Sequence, residues 1–194
     1  MQKTRLEAFS DCVLAIIITI MVLELKVPHG TSWETLKPLI PTALSYLMSF
    51  VYIGIYWNNH HHMLQMTSKI TGGILWANLH LLFWLSLFPF VTAWMGENNF
   101  AQVPTILYGI VLLLAALAFF TLQQVIIRSQ GNESRLKRAI GKDIKGKISP
   151  LLYIAGISSA FFNQWAAIAI FTIVAVIWVV PDSRIEKRIR VEED

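Results

Sequence analysis

Apolar residues in this chain do not alternate with polar ones. They come in long runs separated by short polar breaks. A helix needs about 20 residues to cross ~30 Å of hydrocarbon. Runs of that kind predict six spans, over 8–25, 38–58, 73–94, 104–127, 149–163 and 165–180. The fifth is short and carries Ser158 and Ser159, so five spans with a re-entrant piece is the alternative. The last two meet at Asn163-Gln164 with almost no loop, which predicts a tight helical hairpin. The expected fold class is all-α: a polytopic membrane protein with one six-helix unit over residues 1–194.

Composition agrees. Of 194 residues, 55% are hydrophobic and only 14% charged, which is unusual for a soluble domain of this size. The single cysteine, Cys12, allows no internal disulfide. The first apolar run lacks a small-residue cleavage site, so it reads as a retained span rather than a signal peptide. Orientation follows from the basic residues. With six spans, fourteen of the 16 lysines and arginines fall on the side of both termini, the 59–72 loop and the 128–148 loop. Only Lys26 and Lys37 fall on the other. The positive-inside rule then places both termini in the cytoplasm. It also accounts for the net charge of +4 without nucleic acid. The 128–148 loop and the tail Asp182–Asp194 read as solvated segments touching anionic lipid. Trp33, Trp94 and Trp165 fall at the outer boundary and Trp57, Trp76 and Trp178 at the inner one, as in an aromatic belt.

Much familiar chemistry is missing. There is no P-loop, no G-x-G-x-x-G, no G-x-S-x-G and no T-V-G-Y-G filter. Paired intramembrane carboxylates, which a membrane enzyme would want, are also missing, and no internal repeat is evident. His60, His61 and His62 sit just past the expected inner end of the second span. Consecutive residues on a helix point in different directions, so this run makes a poor single-metal site even with His80 nearby.

The first span is more informative. It begins Arg5-Leu6-Glu7-Ala8-Phe9-Ser10-Asp11. A charge inside the membrane costs roughly 2.5–3.5 kcal/mol on insertion scales, so it normally has a partner or a task. At about 100° per residue, Phe9, Cys12, Ile16, Thr19, Ile20 and Leu23 share a face. Asp11 points away from it, toward whatever packs behind, and Ser10 lies to one side. Taken alone, the apolar stripe reads as lipid or helix contact, and Ser10-Asp11 as a helix-start signal.

The motif at Arg5, Phe9, Ser10 and Asp11 resembles the signature of the transmembrane protein 175 family, the endosomal and lysosomal potassium channels and their prokaryotic relatives. The likeness continues through Tyr56-Trp57-Asn58-Asn59-His60-His61, Leu75-Trp76-Ala77-Asn78 and Ser86-Leu87-Phe88-Pro89-Phe90. The chain is similar to the single six-span prokaryotic form, which suggests a prokaryotic cytoplasmic membrane. The resemblance implies a potassium-selective channel, not an enzyme, assembled as a homotetramer. It implies a pore lined by the first helix of each subunit, without a carbonyl filter, and no cofactor beyond the permeant potassium ions. The constriction it implies is Ile16, with Thr19, Ile20 and Leu23 as further pore-lining residues. Arg5, Phe9, Ser10 and Asp11 would then lock the first helix to the second and third, with Trp57, His60, Trp76 and Asn78 as partners. Glu24 and Lys26 would stand at the outer mouth, where a Glu24 ring concentrates cations and Lys26 offsets it. Three other readings stay open: a channel or leak that favours protons, a membrane metal- or haem-binding protein using His60–His62 and His80, and a non-conducting scaffold.

Overall fold

The computed structural model describes residues 2–131, 134–141 and 143–179, and every regular element among them is helical. Helix α1 spans Lys3–Leu23. A 3-10 segment, Trp33–Leu39, leads into α2, Ile40–Gln65. Then come α3, Gly72–Ser86, and α4, Phe88–Glu97. The long α5 covers Gln102–Gln130, and the short α6 covers Arg135–Ile140. Helices α7, Ile144–Ala160, and α8, Gln164–Val179, close the bundle.

The element ends follow local chemistry. The Thr71, Ser134 and Asp143 side chains accept backbone amides at the starts of α3, α6 and α7. Asn163 does so for α8, accepting from Trp165 N at 2.9 Å, which makes the α7–α8 turn as tight as expected. Gly131 ends α5 at φ 65°, and Gly141 ends α6 at φ 61°.

Four stretches are long and apolar enough to cross a membrane: Lys3–Leu23, Trp33–Gln65, Gly72–Glu97 and Gln102–Gln130. Helices α7 and α8 have 17 and 16 residues, below the usual crossing length of about 20. The helices also depart from the expected bounds. The first begins at Lys3, so Arg5 lies inside it. The second runs on to Gln65, so His60–His62 belong to its closing turns rather than to a loop. The third expected run is two helices, broken at Leu87 just ahead of Pro89, whose ring cannot continue an unbroken ladder. The segment 128–148 is not simply a solvated loop. It holds the end of α5, all of α6 and the first turn of α7, and Ser134, Leu136 and Ala139 are buried. The expected tail Asp182–Asp194 lies outside the described residues.

Helix α5 is the axis of the subunit, packed against α3, α4, α7 and α8. Helix α1 lies at one edge against α2, α3 and α4. The ring of Phe171 on α8 fills a notch between two glycines. A Cβ on Gly109 would come within 2.5 Å of that ring, and one on Gly156 within 2.4 Å. Apolar contact alone does not drive helices together in lipid, so close approach and interhelical hydrogen bonds matter. Ser49 Oγ on α2 lies 2.6 Å from Thr92 Oγ1 on α4 and 3.0 Å from Tyr108 Oη on α5. Tyr52 Oη donates to the Phe171 carbonyl at 2.6 Å.

Candidate site on the first helix

Helix α1 has two unlike faces. Leu6, Ser10, Leu14, Ile17 and Met21 recur at helical spacing and are all buried against the bundle. Opposite them lie Cys12 and Thr19, both exposed, and the apolar Ile16, Ile20 and Leu23, which remain 57%, 43% and 74% exposed. Thr19 donates its hydroxyl proton to the Ala15 carbonyl at 2.9 Å. That leaves the oxygen's lone pairs as acceptors on the exposed face.

The buried face is fixed by a directed chain of hydrogen bonds. Ser10 Oγ donates to the Leu6 carbonyl at 2.9 Å. Its one proton is thereby used, so it accepts from Asn78 Nδ2 at 3.0 Å. This sets the Asn78 amide, whose Oδ1 lies 2.7 Å from His60 Nε2. An amide oxygen only accepts, so Nε2 carries the proton. The chain joins α2, α3 and α1, and Ser10, His60 and Asn78 are all buried. A second bond runs beside it: Trp57 Nε1 donates to Asp11 Oδ1 at 3.1 Å.

Two expectations change here. The residue that turns into the bundle is Ser10, not Asp11. Ser10 sits on the arc of Leu6, Leu14 and Ile17, whereas Asp11 is about 100° further round and stays exposed at the α1–α2 edge. Moreover, the expected locking residues do not all meet. Ser10, Asp11, Trp57, His60 and Asn78 are joined, but Arg5, Phe9 and Trp76 face away from the subunit, Trp76 at 75% exposure. Among the described residues, no side-chain hydrogen bond or ion pair holds the Arg5 guanidinium.

At the other end of α1, the Lys26 ammonium pairs with Glu97 at the end of α4. The Glu97 carboxylate, as hydrogen-bond acceptor and as charge, raises the Lys26 pKa above the ordinary lysine value. Lys26 is therefore not simply an offset to Glu24. A residue pair 71 positions apart leaves no local trace in the sequence.

The histidines do not assemble. His60 is spent on Asn78, and His80 is exposed and accepts from Trp84 Nε1 at 3.0 Å. His61 lies against Trp57 and His62. Among the described residues no group of three or more His, Cys, Asp or Glu side chains is placed to hold a metal ion, so a site built from His60–His62 and His80 has no geometry behind it.

Comparison with known proteins gives one consistent answer. The family described as the endosomal/lysosomal potassium channel TMEM175 matches residues 5–89. A potassium channel of Chryseobacterium sp. (strain P1-3) is 56% identical over 190 residues, covering 98% of this chain and 99% of the relative. A potassium channel of Chamaesiphon minutus is 30% identical over 186 residues, 89% of this chain and 91% of the relative. The endosomal/lysosomal proton channel TMEM175 of Gallus gallus is 30% identical over 61% of this chain, which covers 27% of that longer protein. Among solved structures, the crystal structure of a lysosomal potassium-selective channel TMEM175 homolog from Chamaesiphon minutus superposes with a TM-score of 0.80 at 28% identity. That match takes in 93% of this chain and 97% of that one.

Proposed function

This chain belongs to the TMEM175 family, a family of ion channels rather than enzymes, and from that membership we propose that it conducts potassium through a pore built from the exposed face of α1. The observation that carries this is the contrast across one helix. Polar bonds tie one face to the bundle, while Ile16, Thr19, Ile20 and Leu23 line up on the other and stay exposed. Copies of the same face, four in a homotetramer, enclose an axis. Six apolar segments, α3 and α4 together forming the third, cross a bacterial cytoplasmic membrane with both termini inside, a reading supported by the distribution of basic residues. Ser10, Asp11, Trp57, His60 and Asn78 hold the pore helix in place. Arg5, Phe9 and Trp76, turned outward, meet lipid or the neighbouring subunit.

Ile16 side chains meeting on the axis form an apolar ring that closes the pore to water. A tilt or rotation of α1 widens it enough for a partly hydrated cation. Sodium holds its water more tightly than potassium, so the ring favours potassium. Thr19 oxygens, each with lone pairs free, replace part of the lost hydration. With so few oxygens, selectivity stays below that of a carbonyl filter.

The test is cation flux from liposomes under potassium and sodium gradients, wild type against Ile16→Asn. Ile16→Asn lowers the potassium preference by roughly tenfold, the factor for about 1.4 kcal/mol of barrier difference. An unchanged ratio removes Ile16 as the constriction. The animal relatives named as proton channels favour a second reading, a path that prefers protons. Reversal potentials that follow the pH gradient rather than the potassium gradient would establish it.

A further inference from the structure

Away from α1, a pocket of about 520 Å³, including its open mouth, lies between α2, α5, α7 and α8. No residue of α1 lines it. Its walls are aromatic: Tyr56, Phe119, Phe120, Tyr153 and Trp178. Asp143 is the one charged residue among those lining it. We propose that this pocket binds a small organic cation, an ammonium group carried on an apolar body.

The carboxylate is held ready. Asp143 sits in left-handed backbone at φ 45°, uncommon for a residue other than glycine. Its Oδ2 accepts from Gln123 Nε2 at 2.9 Å and its Oδ1 from Gly146 N at 3.1 Å. Gln123 is itself buried. Among the described residues each oxygen uses one lone pair and keeps another, and both donors are neutral, so they leave the negative charge in place. An anion does not suit the site, because Asp143 already occupies the amide at the start of α7. A neutral apolar guest would strip water from the carboxylate and return nothing for it. A cation answers the charge, and the aromatic lining of Tyr56, Phe119 and Trp178 suits it through the ring quadrupoles. Asp143, Phe119 and Trp178 also line an adjoining lobe, where Lys145 is the one basic residue. Tyr52, Tyr56 and Asn59 place α2 in the wall. The same helix carries Trp57 and His60 to α1, so a bound cation bears on the pore helix through α2.

The test titrates the full-length chain in detergent micelles with benzyltrimethylammonium by calorimetry. Neopentylbenzene, its uncharged carbon isostere, is the comparison. Asp143→Asn keeps the helix cap, since asparagine caps as well as aspartate. Phe119→Leu keeps apolar volume and removes only the ring. The wild type binds benzyltrimethylammonium saturably, one per chain, and neopentylbenzene at least about tenfold more weakly. Asp143→Asn and Phe119→Leu each lose about tenfold in affinity for the cation, with melting curves still cooperative. Three results overturn the proposal: no saturation by roughly 10 mM, equal binding of the uncharged isostere, or wild-type affinity in both variants, which would put the cation elsewhere, as in the pore.

Discussion

The two faces of α1 have nearly the same proportion of apolar side chains and opposite fates. Leu6, Leu14, Ile17 and Met21 vanish into the subunit, whereas Ile16, Ile20 and Leu23 are left open. Hydrophobicity does not separate them, because in a membrane an apolar side chain is equally at ease against lipid or protein. The polar residues decide. Ser10 lies on the first face and finds Asn78, which finds His60, and that chain selects which apolar stripe is inside. The other stripe is left open. Position on this helix is thus specified by a few hydrogen bonds, and the proposed pore uses the face they do not need.

Breaking the anchor gives the largest effect. Asn78→Leu leaves Ser10 and His60 without their shared partner at a cost of about 1–3 kcal/mol, the penalty for unsatisfied buried polar groups. Thermal or denaturant unfolding in detergent measures it, and the potassium-to-sodium ratio of the surviving protein stays at the wild-type value. A changed ratio with unchanged stability would reverse the roles given to the two faces. Trp57→Phe removes one exposed bond to Asp11 and keeps an aromatic, though smaller, side chain. It costs about 0.5–1 kcal/mol in the same assay, less than Asn78→Leu because both groups remain in reach of water. Thr19→Val is the mildest. Stability moves by less than about 0.5 kcal/mol, while single-channel conductance falls. Loss of fold with normal conductance would make Thr19 a packing residue.

Much of this was legible in the sequence, for reasons that differ by element. Long apolar runs announce helices wherever they occur, and the first run carried a strong motif. The helical period separated Cys12, Ile16, Thr19 and Leu23 from the residues behind them. It pointed to Asp11 as the inward residue where the structure buries Ser10, because the two differ by one position and both are polar. The structure chooses Ser10, whose small hydroxyl tolerates burial with two partners, and leaves the carboxylate near water. The break at Leu87 was hidden because the residues around it are as apolar as those of an unbroken span; Pro89 was the only sign. The packing of Leu136 and Ala139 in the basic 128–148 segment was masked by the lysines and arginines around them. The Lys26–Glu97 pair and the Asp143 pocket are tertiary and leave no periodic signal.

The contrast between the faces of α1 is tested most directly by two adjacent positions. In a Cys12→Ala background, Ile16→Cys and Ile17→Cys place one thiol about 100° apart round the helix, the first on the open face and the second on the buried one. The account predicts that a charged, water-soluble thiol reagent modifies Ile16→Cys and abolishes potassium flux in liposomes, while Ile17→Cys is neither modified nor inhibited. Rapid modification of Ile17→Cys, or full modification of Ile16→Cys with flux intact, would contradict the assignment of the open face of α1 to the pore.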